Sequence, residues 1–381
     1  MSGGCGVAFT TPHLTNTMHI DRLWLTDFRS YHSSEFSPAP AGITVVNGGN
    51  GEGKTNLVEA VAYLATLKSF RGSPGEAMVR SGESQAIVRA EGVRDSRRLL
   101  IEAELHAAGR DRVQLNGQPL RRTRDLLGFL QVTVFSPDDL ALVKAGPQLR
   151  REFLDELLVA LHPRHDETIT EVDRVLKQRN ALLKTAGIER VSGEVASTLN
   201  VWDAKLADAG ERLALARQSL SDALEPLATD SYGQLSVTVA HRGRNTVGVA
   251  YQRSWEGSLL DALHAARTED LRRGITTVGP HRDEVVLRIG ELPARTHASQ
   301  GEQRSLTLAL RLAGHSIVSD RVGSSPVLLL DDVFSELDAS RADALIKCLP
   351  EGQAIITTAG EVPSSADVVA RFRVEDGKIL S

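Results

Sequence analysis

Gly48-Gly49-Asn50-Gly51-Glu52-Gly53-Lys54-Thr55 fits the pattern G-x-x-x-x-G-K-[ST]. In such a segment the glycines let successive backbone N–H groups face phosphate oxygens. A helix starting there adds the positive end of its dipole. Lys54 would neutralise the outer phosphates of a nucleoside triphosphate, and the Thr55 hydroxyl would sit on Mg²⁺. The spacing alone arises by chance in about one chain in a hundred of this length. Its flanks therefore carry the argument, and they are the required ones: a strand-like Ile43-Thr44-Val45-Val46 before it and an apolar-periodic helix from about Lys54 to Leu67 after it.

A second set of groups ends the apolar run Val327-Leu328-Leu329-Leu330-Asp331-Asp332. Asp331 is placed to hold Mg²⁺ through water, and Asp332 to polarise an attacking water. The pair could instead cap the next helix, but two adjacent carboxylates at a buried strand end are costly without a cation. Ser299-Gln300-Gly301-Glu302-Gln303-Arg304 opens another apolar-periodic helix. The Ser299 hydroxyl and the Gly301 N–H make either an ordinary N-cap or a second anion-binding helix start. Thr55 and Asp331 lie 276 positions apart, more than a compact nucleotide site needs, so something is inserted between its halves.

The elements that must position these groups can be read along the chain. Residues 1–17 are small, polar and without period, and are expected to be a disordered extension; patterned sequence begins at Met18, which also reads as a possible biological start. Strand patterns follow at 85–90 and 98–106, a hairpin turns at Asn116-Gly117, and Val132-Thr133-Val134-Phe135 is a further strand. From 150 to 228 the period becomes helical. Phe153, Leu157, Ile169, Val172, Leu176 and Leu183 form one stripe, interrupted at His162-Pro163. Trp202, Leu206, Ala209, Leu213, Ala216 and Leu220 form a second, after a breaker region around Gly187 and Gly193. The two stripes suggest an antiparallel helical hairpin, or else core helices of one large domain. From 275 strand and helix alternate again, closing on a hairpin at Asp376-Gly377. The fold class is α/β, with 18–140 and 275–381 as the halves of a head and 141–274 as a helical arm.

Composition narrows the function. Of 381 residues, 41% are hydrophobic and 24% charged, which is ordinary for a globular protein. A formal charge of -5 excludes a globally basic nucleic-acid coat while leaving room for a local basic face. Cys5 and Cys348 are the only cysteines, which excludes a disulfide scaffold and a four-Cys zinc site and suggests a reducing cytosol. No apolar run approaches the ~18 residues that span a bilayer, and no signal-peptide pattern opens the chain. A cytoplasmic protein is expected.

Together the P-loop, the Ser-x-Gly-Glu-Gln helix start, the Asp-Asp strand and Ser335-Glu336-Leu337-Asp338 resemble the head of an ABC-type ATPase: a P-loop parallel sheet with an antiparallel β layer. The helical insertion is similar to the shortened coiled coil of an SMC-like protein. Closer resemblance is to the RecF family, from Met18 onward. Pro137-Asp138, Gly146-Pro147, Arg150-Arg151-Glu152-Phe153-Leu154-Asp155, Gly279-Pro280-His281-Arg282-Asp283 and Leu328 to Asp338 carry it. Ala145 stands where that family more usually has Gly, which leaves that turn's geometry open. The His that closes many ABC sites is missing near Thr357-Thr358, where a Thr hydroxyl could contact the γ-phosphate or simply end a strand.

The resemblance implies ATP and Mg²⁺ as cofactors and a head-to-tail, ATP-dependent homodimer. In it, Ser299, Gly301, Gln303 and Asp338 would add to the contacts of Gly48 through Thr55, with Lys54 and Asp332 catalytic and Thr55 and Asp331 on the metal. It also implies a weak ATPase used as a switch, clamping duplex DNA at single-strand gaps. Its partners would be RecR, with RecO and the RecA recombinase in the same pathway, and no membrane. Two other readings stay open: the nucleotide-binding subunit of an ABC transporter, and a clamp that binds ATP without hydrolysing it. DNA contact has its own residues. Ten arginines fall between Arg80 and Arg124, densest at Arg121-Arg122-Thr123-Arg124, with Lys68 and Arg71 after the P-loop helix as further candidates. A solvated basic loop is the plainer reading of any one of them. No aromatic residues interleave these charges, so sequence-independent duplex binding is favoured over base stacking.

Overall fold

The computed structural model describes residues 18–186, 193–236 and 245–380. In chain order the first elements are β1 (His19–Phe28), β2 (Tyr31–Phe36), β3 (Gly42–Asn47) and α1 (Lys54–Thr66). Then come β4 (Gln85–Arg94), β5 (Arg97–His106), β6 (Arg112–Leu115), β7 (Gln118–Pro119) and β8 (Val132–Phe135). Four helices follow: α2 (Ala141–Lys144), α3 (Pro147–Leu161), α4 (Arg164–Ala186) and α5 (Gly193–Leu235). After them lie β9 (Val247–Gln252), α6 (Leu259–Arg273), β10 (Glu284–Ile289), β11 (Leu292–Pro293), α7 (Ala294–His297) and α8 (Gln300–Val322). The chain closes with β12 (Val327–Asp331), α9 (Ala339–Cys348), β13 (Gln353–Thr358), β14 (Val368–Glu375) and β15 (Lys378–Leu380). The expected extension at 1–17 and the breaker at Gly187 lie outside the described residues.

A six-stranded sheet in the order β15-β14-β3-β13-β12-β8 carries the site. All its pairs are parallel except the closing β14–β15 hairpin. Every residue of β12 and β13 is buried, as expected of parallel strands covered on both faces. Their side chains alternate between two cores: Val327, Leu329 and Ile355 point to one, and Leu328, Leu330, Ala354 and Ile356 to the other. The first core holds α1 and a second, antiparallel sheet in the order β2-β1-β4-β5-β6-β7. The second holds α8, α3 and the long helices. Both expected hairpins form, with φ of 50° and 75° at Asn116-Gly117 and 47° and 67° at Asp376-Gly377. These left-handed pairs match the twist of the strands they join.

The helical region has more parts than two stripes suggest. α3 and α4 divide at His162-Pro163, and α4 runs antiparallel to α5, as the pairs Glu171–Arg212 and Arg179–Asp203 require. α5 has 43 residues, about 65 Å at 1.5 Å per residue. Its later residues Leu220, Leu224, Ala228 and Tyr232 share the core of α8, so α5 belongs to both the antiparallel pair and the head. Sequence periodicity did not separate β9 or α6 from this helical stretch. β9 pairs antiparallel with β10, from Glu284↔Gln252 to Ile289↔Val247, and so crosses position 274. A six-residue strand beside a 43-residue helix has too short a period to stand out.

Candidate nucleotide site

The P-loop lies where β3 ends and α1 begins, at the carboxyl edge of the parallel sheet. Its backbone is set by its neighbours. Gly53 has φ 117°, and a Cβ there would stand 2.7 Å from Ser30 Oγ and 3.2 Å from the Tyr31 hydroxyl, so no other residue fits. The Tyr31 hydroxyl donates to the Gly53 carbonyl at 2.9 Å. Burial pushes that phenol far above its usual pKa and keeps it a donor. From the other side the Asp376-Gly377 turn donates its N–H groups to Glu52, to Oε2 at 2.5 Å and to the carbonyl at 3.2 Å. Glu52, expected among the nucleotide contacts, thus holds the loop to the C-terminal hairpin.

Lys54 is buried and donates to the carbonyls of Gly48 and Gly49 at 2.9 and 2.7 Å. Its ammonium is held directly over the loop. The Thr55 hydroxyl donates to Asp331 Oδ1 at 3.0 Å, joining the two halves of the site across the inserted region. Asp331 is 4% exposed, and its burial raises its pKa, opposed by hydrogen bonds from Thr357 and Thr55. Asp332 has φ 48° and ψ 29°, a left-handed backbone uncommon for a residue with a side chain. Its Oδ1 is buried without a hydrogen-bond partner. A hydroxyl and two carboxylates, one with an orphaned buried oxygen, are the hard oxygen donors that suit Mg²⁺.

Behind the loop, Glu59 on α1 is fully buried and takes three donors: Arg29 Nε at 2.8 Å, Arg29 Nη2 at 2.7 Å and Ser69 Oγ at 2.5 Å. This network fastens the 68–71 loop to the P-loop helix. Lys68 and Arg71, read as DNA candidates, are both exposed on that loop. Arg71 bonds Asn56 Oδ1 at 3.4 Å, and its charge favours the ionised form of Asp331. Of the other candidates, Arg121 and Arg122 are exposed, and Arg124 lies 3.8 Å from Asp166. Several of the neighbouring arginines have internal partners: Arg80 the Ser30 carbonyl, Arg89 the Trp24 ring and Arg94 the Phe129 carbonyl.

The remaining expected contacts form a separate group. Ser299 caps α8, its hydroxyl accepting the Glu302 N–H at 3.3 Å while Glu302 Oε2 accepts the Ser299 N–H at 2.7 Å. The Arg341 guanidinium covers Gly301 so closely that a Cβ there would be 2.5 Å from Nη2. Asp338 caps α9 and pairs with Arg341 at 2.5 Å; the Arg341 N–H, then its charge, holds the carboxyl below its usual pKa. Gln303 is 4% exposed and donates inward to the carbonyls of Ala294 and Arg295 at 3.2 and 3.3 Å. Among the described residues no hydrogen bond joins this group to the P-loop of the same chain.

Two groups have structural roles that the sequence did not assign to them. Thr357 on β13 bonds Asp331 and Asp332, where the sequence allowed only a γ-phosphate contact or a strand end. The segment Gly279 to Asp283 is a structural junction. Asp283 accepts from the Tyr251 hydroxyl and the Ser254 N–H, Arg217 donates to the Pro280 carbonyl at 2.7 Å, and Arg151 donates to the Asp283 carbonyl at 2.6 Å. Arg150 bonds Glu284 with two nitrogens, and Arg217 bonds Asp155 likewise. Alternating charges on neighbouring elements were the available signal. Ala145 has φ -81° and ψ -171°, ordinary extended backbone, so its turn does not need glycine.

A P-loop on a parallel sheet, an Asp-Asp strand beside it, an antiparallel layer and a long helical pair define the head of an ABC-type ATPase of the SMC kind. The Smc head domain derived from Pyrococcus furiosus shares the fold, with a TM-score of 0.54 at 17% identity over 96% of each chain. The RecF/RecN/SMC N terminal domain matches residues 19–379. The DNA replication and repair protein RecF of Streptomyces avermitilis is 43% identical over 377 residues, covering 95% of this chain and 99% of that one. That of Frankia alni is 44% identical over 384 residues, with the same coverage. A solved structure of the recombination mediator protein RecF-ATPrS in the RecFOR pathway superposes with a TM-score of 0.87 at 28% identity, covering 97% of this chain and 99% of that one. The chain belongs to the RecF family.

Proposed function

We propose that this chain is an ATP-dependent DNA-binding protein of recombinational repair and replication restart. It closes as an ATP-sandwiched homodimer on duplex DNA at single-strand gaps and helps load the RecA recombinase, with RecR as direct partner and RecO in the same pathway. One observation carries the reading: the site is split. The P-loop, Thr55, Asp331 and Asp332 converge in one group, while Ser299, Gly301 and Asp338 form another that, among the described residues, bonds none of them. A second copy would bring the second group to the first. RecF relatives that carry ATP and ATPrS support the nucleotide.

Within this reading, Mg²⁺ would be held by Thr55 and Asp331, and when bound it neutralises charge developing on the phosphates. Lys54 would turn from the Gly48 and Gly49 carbonyls to the nucleotide. Asp332 would accept a proton from, or orient, the attacking water. Asp is one methylene shorter than Glu, which suits a weak ATPase acting as a switch. The division into head halves at 18–140 and 275–381 with an arm at 141–274, and a cytoplasmic setting, belong to the same proposal. Lys68, Arg71, Arg121, Arg122 and Arg124 are its DNA contacts. Membership of the RecF family displaces the transporter reading, and among the described residues no helix is long and apolar enough to cross a membrane.

The test is ATP turnover measured against protein concentration, with and without gapped duplex DNA. Turnover rising faster than linearly, and more steeply with DNA, supports a composite site assembled on DNA. Linear turnover indifferent to DNA would overturn it, and the absence of product in a single turnover would instead favour the non-hydrolysing clamp.

A further inference from the structure

The parallel pairing of β12 with β13 sets Thr357 directly beside Asp331. Thr357 is fully buried. Its hydroxyl donates to Asp331 Oδ1 at 2.6 Å and accepts the Asp332 N–H at 3.2 Å, while its carbonyl accepts that same N–H at 3.0 Å. One side chain therefore holds the carboxylate of Asp331 and the backbone of Asp332 together. Thr358, next along, is engaged elsewhere, its hydroxyl accepting the Gly360 N–H at 3.1 Å.

The geometry points to Thr357 as a positioning residue for ATP hydrolysis, acting through both aspartates. This inference rests on the ATP-hydrolysing reading above. Two effects follow from its bonds. The donated hydroxyl fixes the orientation of the Asp331 carboxylate, as an outer partner does for a metal ligand. The bond is also strong where water is scarce, and Asp331 is almost fully buried. The second effect concerns conformation. Asp332 stands in a left-handed backbone that persists only where the surroundings over-determine it. Two acceptors from Thr357 on its N–H supply that constraint and fix where its carboxylate points. The orphaned Oδ1 of Asp332 shows how much rides on that aim, since the oxygen has no hydrogen bond of its own to keep it in place. Thr55 also donates to Asp331 Oδ1, but its hydroxyl would have a second task holding the metal. Thr357 has no other side-chain partner among the described residues.

The test pairs Thr357→Val, which keeps the branched shape and removes the donor, with Thr357→Ser, which restores it. Loss of an outer partner of a metal ligand typically costs about 10- to 100-fold in metal affinity or activity. In the full chain with gapped duplex DNA, Thr357→Val should lower kcat by that factor while KM for ATP stays near its original value. Mn²⁺ affinity in the presence of a non-hydrolysable ATP analogue, read by electron paramagnetic resonance, should fall by a similar factor. Nucleotide binding in EDTA should not change, and Thr357→Ser should restore kcat and Mn²⁺ affinity. Wild-type kcat and Mn²⁺ affinity in Thr357→Val would overturn the assignment. So would a Thr357→Ser variant as impaired as Thr357→Val with a lowered Tm, which would mark Thr357 as packing alone. An inactive wild type whose Mn²⁺ affinity still depends on Thr357 would overturn the hydrolysis reading and leave Thr357 in its place.

Discussion

Lys54 and Asp332 make separable demands on the same nucleotide. Lys54 is held by two carbonyls of its own loop, so its removal leaves the P-loop backbone intact and takes away one cation. A hydrogen bond from a charged group contributes about 1.5–3 kcal/mol. Lys54→Ala should therefore weaken ATP binding by about ten- to a hundredfold, measured by equilibrium binding. Asp332→Asn should bind ATP normally and lose about a hundredfold or more in phosphate release, the range of general acid–base contributions. Unchanged release in Asp332→Asn would falsify the role given to it. Two histidines contribute to the pH dependence of stability. His281 and His315 are held by burial at a pKa of about 4, against 6.5 when unfolded. The folded state thus binds fewer protons than the unfolded chain between pH 6.5 and 4, and stability falls as pH drops through that window. From pH 7 to pH 5 the loss should be about 2 kcal/mol for each histidine. Urea unfolding at the two pH values checks it, and His315→Gln should shrink the difference.

At the scale of elements, charged and hydroxyl side chains hold what apolar packing leaves free to slide. Arg179, Asp203 and Asp270 are fully buried together, with Arg267 on the second oxygen of Asp203, so α4, α5 and α6 have one register. Such a cluster costs desolvation, and its net contribution is to specificity more than to stability. β9 shows the same device at a sheet edge. Its free side faces α5, where Glu225 Oε2 accepts the Val249 N–H at 2.8 Å and Thr229 Oγ1 accepts the Val247 N–H at 3.0 Å. Two acceptors one turn apart on the helix satisfy that strand edge. Glu225→Ala would leave the Val249 N–H buried and unpaired, at a cost of about 1–3 kcal/mol. Thermal unfolding should show that loss, and Glu225→Gln, which keeps an acceptor, should recover part of it.

For the whole molecule the two separated groups of site residues make the strongest demand. If a second copy supplies Ser299 and Gly301 to the nucleotide, a bulky cation at the α8 start blocks closure without touching the P-loop. Ser299→Arg should therefore bind ATP as a monomer and show no ATP-dependent dimer in light scattering, while Asp332→Asn should accumulate as one. Full ATP-dependent dimerisation of Ser299→Arg would remove the composite site.

Contiguity explains how much of this protein its sequence determined. The P-loop, the Asp331-Asp332 strand end and the two hairpin turns are chemistry and geometry written in adjacent residues, and each formed where its residue types required. The alternation of strand and helix after 275 was legible because backbone period and side-chain pattern agree locally. Tertiary structure alone decided the rest. Thr357 meets Asp331 only because β12 and β13 pair in parallel with one particular register, and a shift by one residue would turn its hydroxyl to the opposite face. Gln303 sits in a motif read as a nucleotide contact, yet packing draws it inward to the Ala294 and Arg295 carbonyls. Glu52 likewise went to the C-terminal hairpin, a partner 324 positions away. A hydrogen bond is specified by distance and direction at both ends, and sequence spacing states neither once the partners lie on different elements.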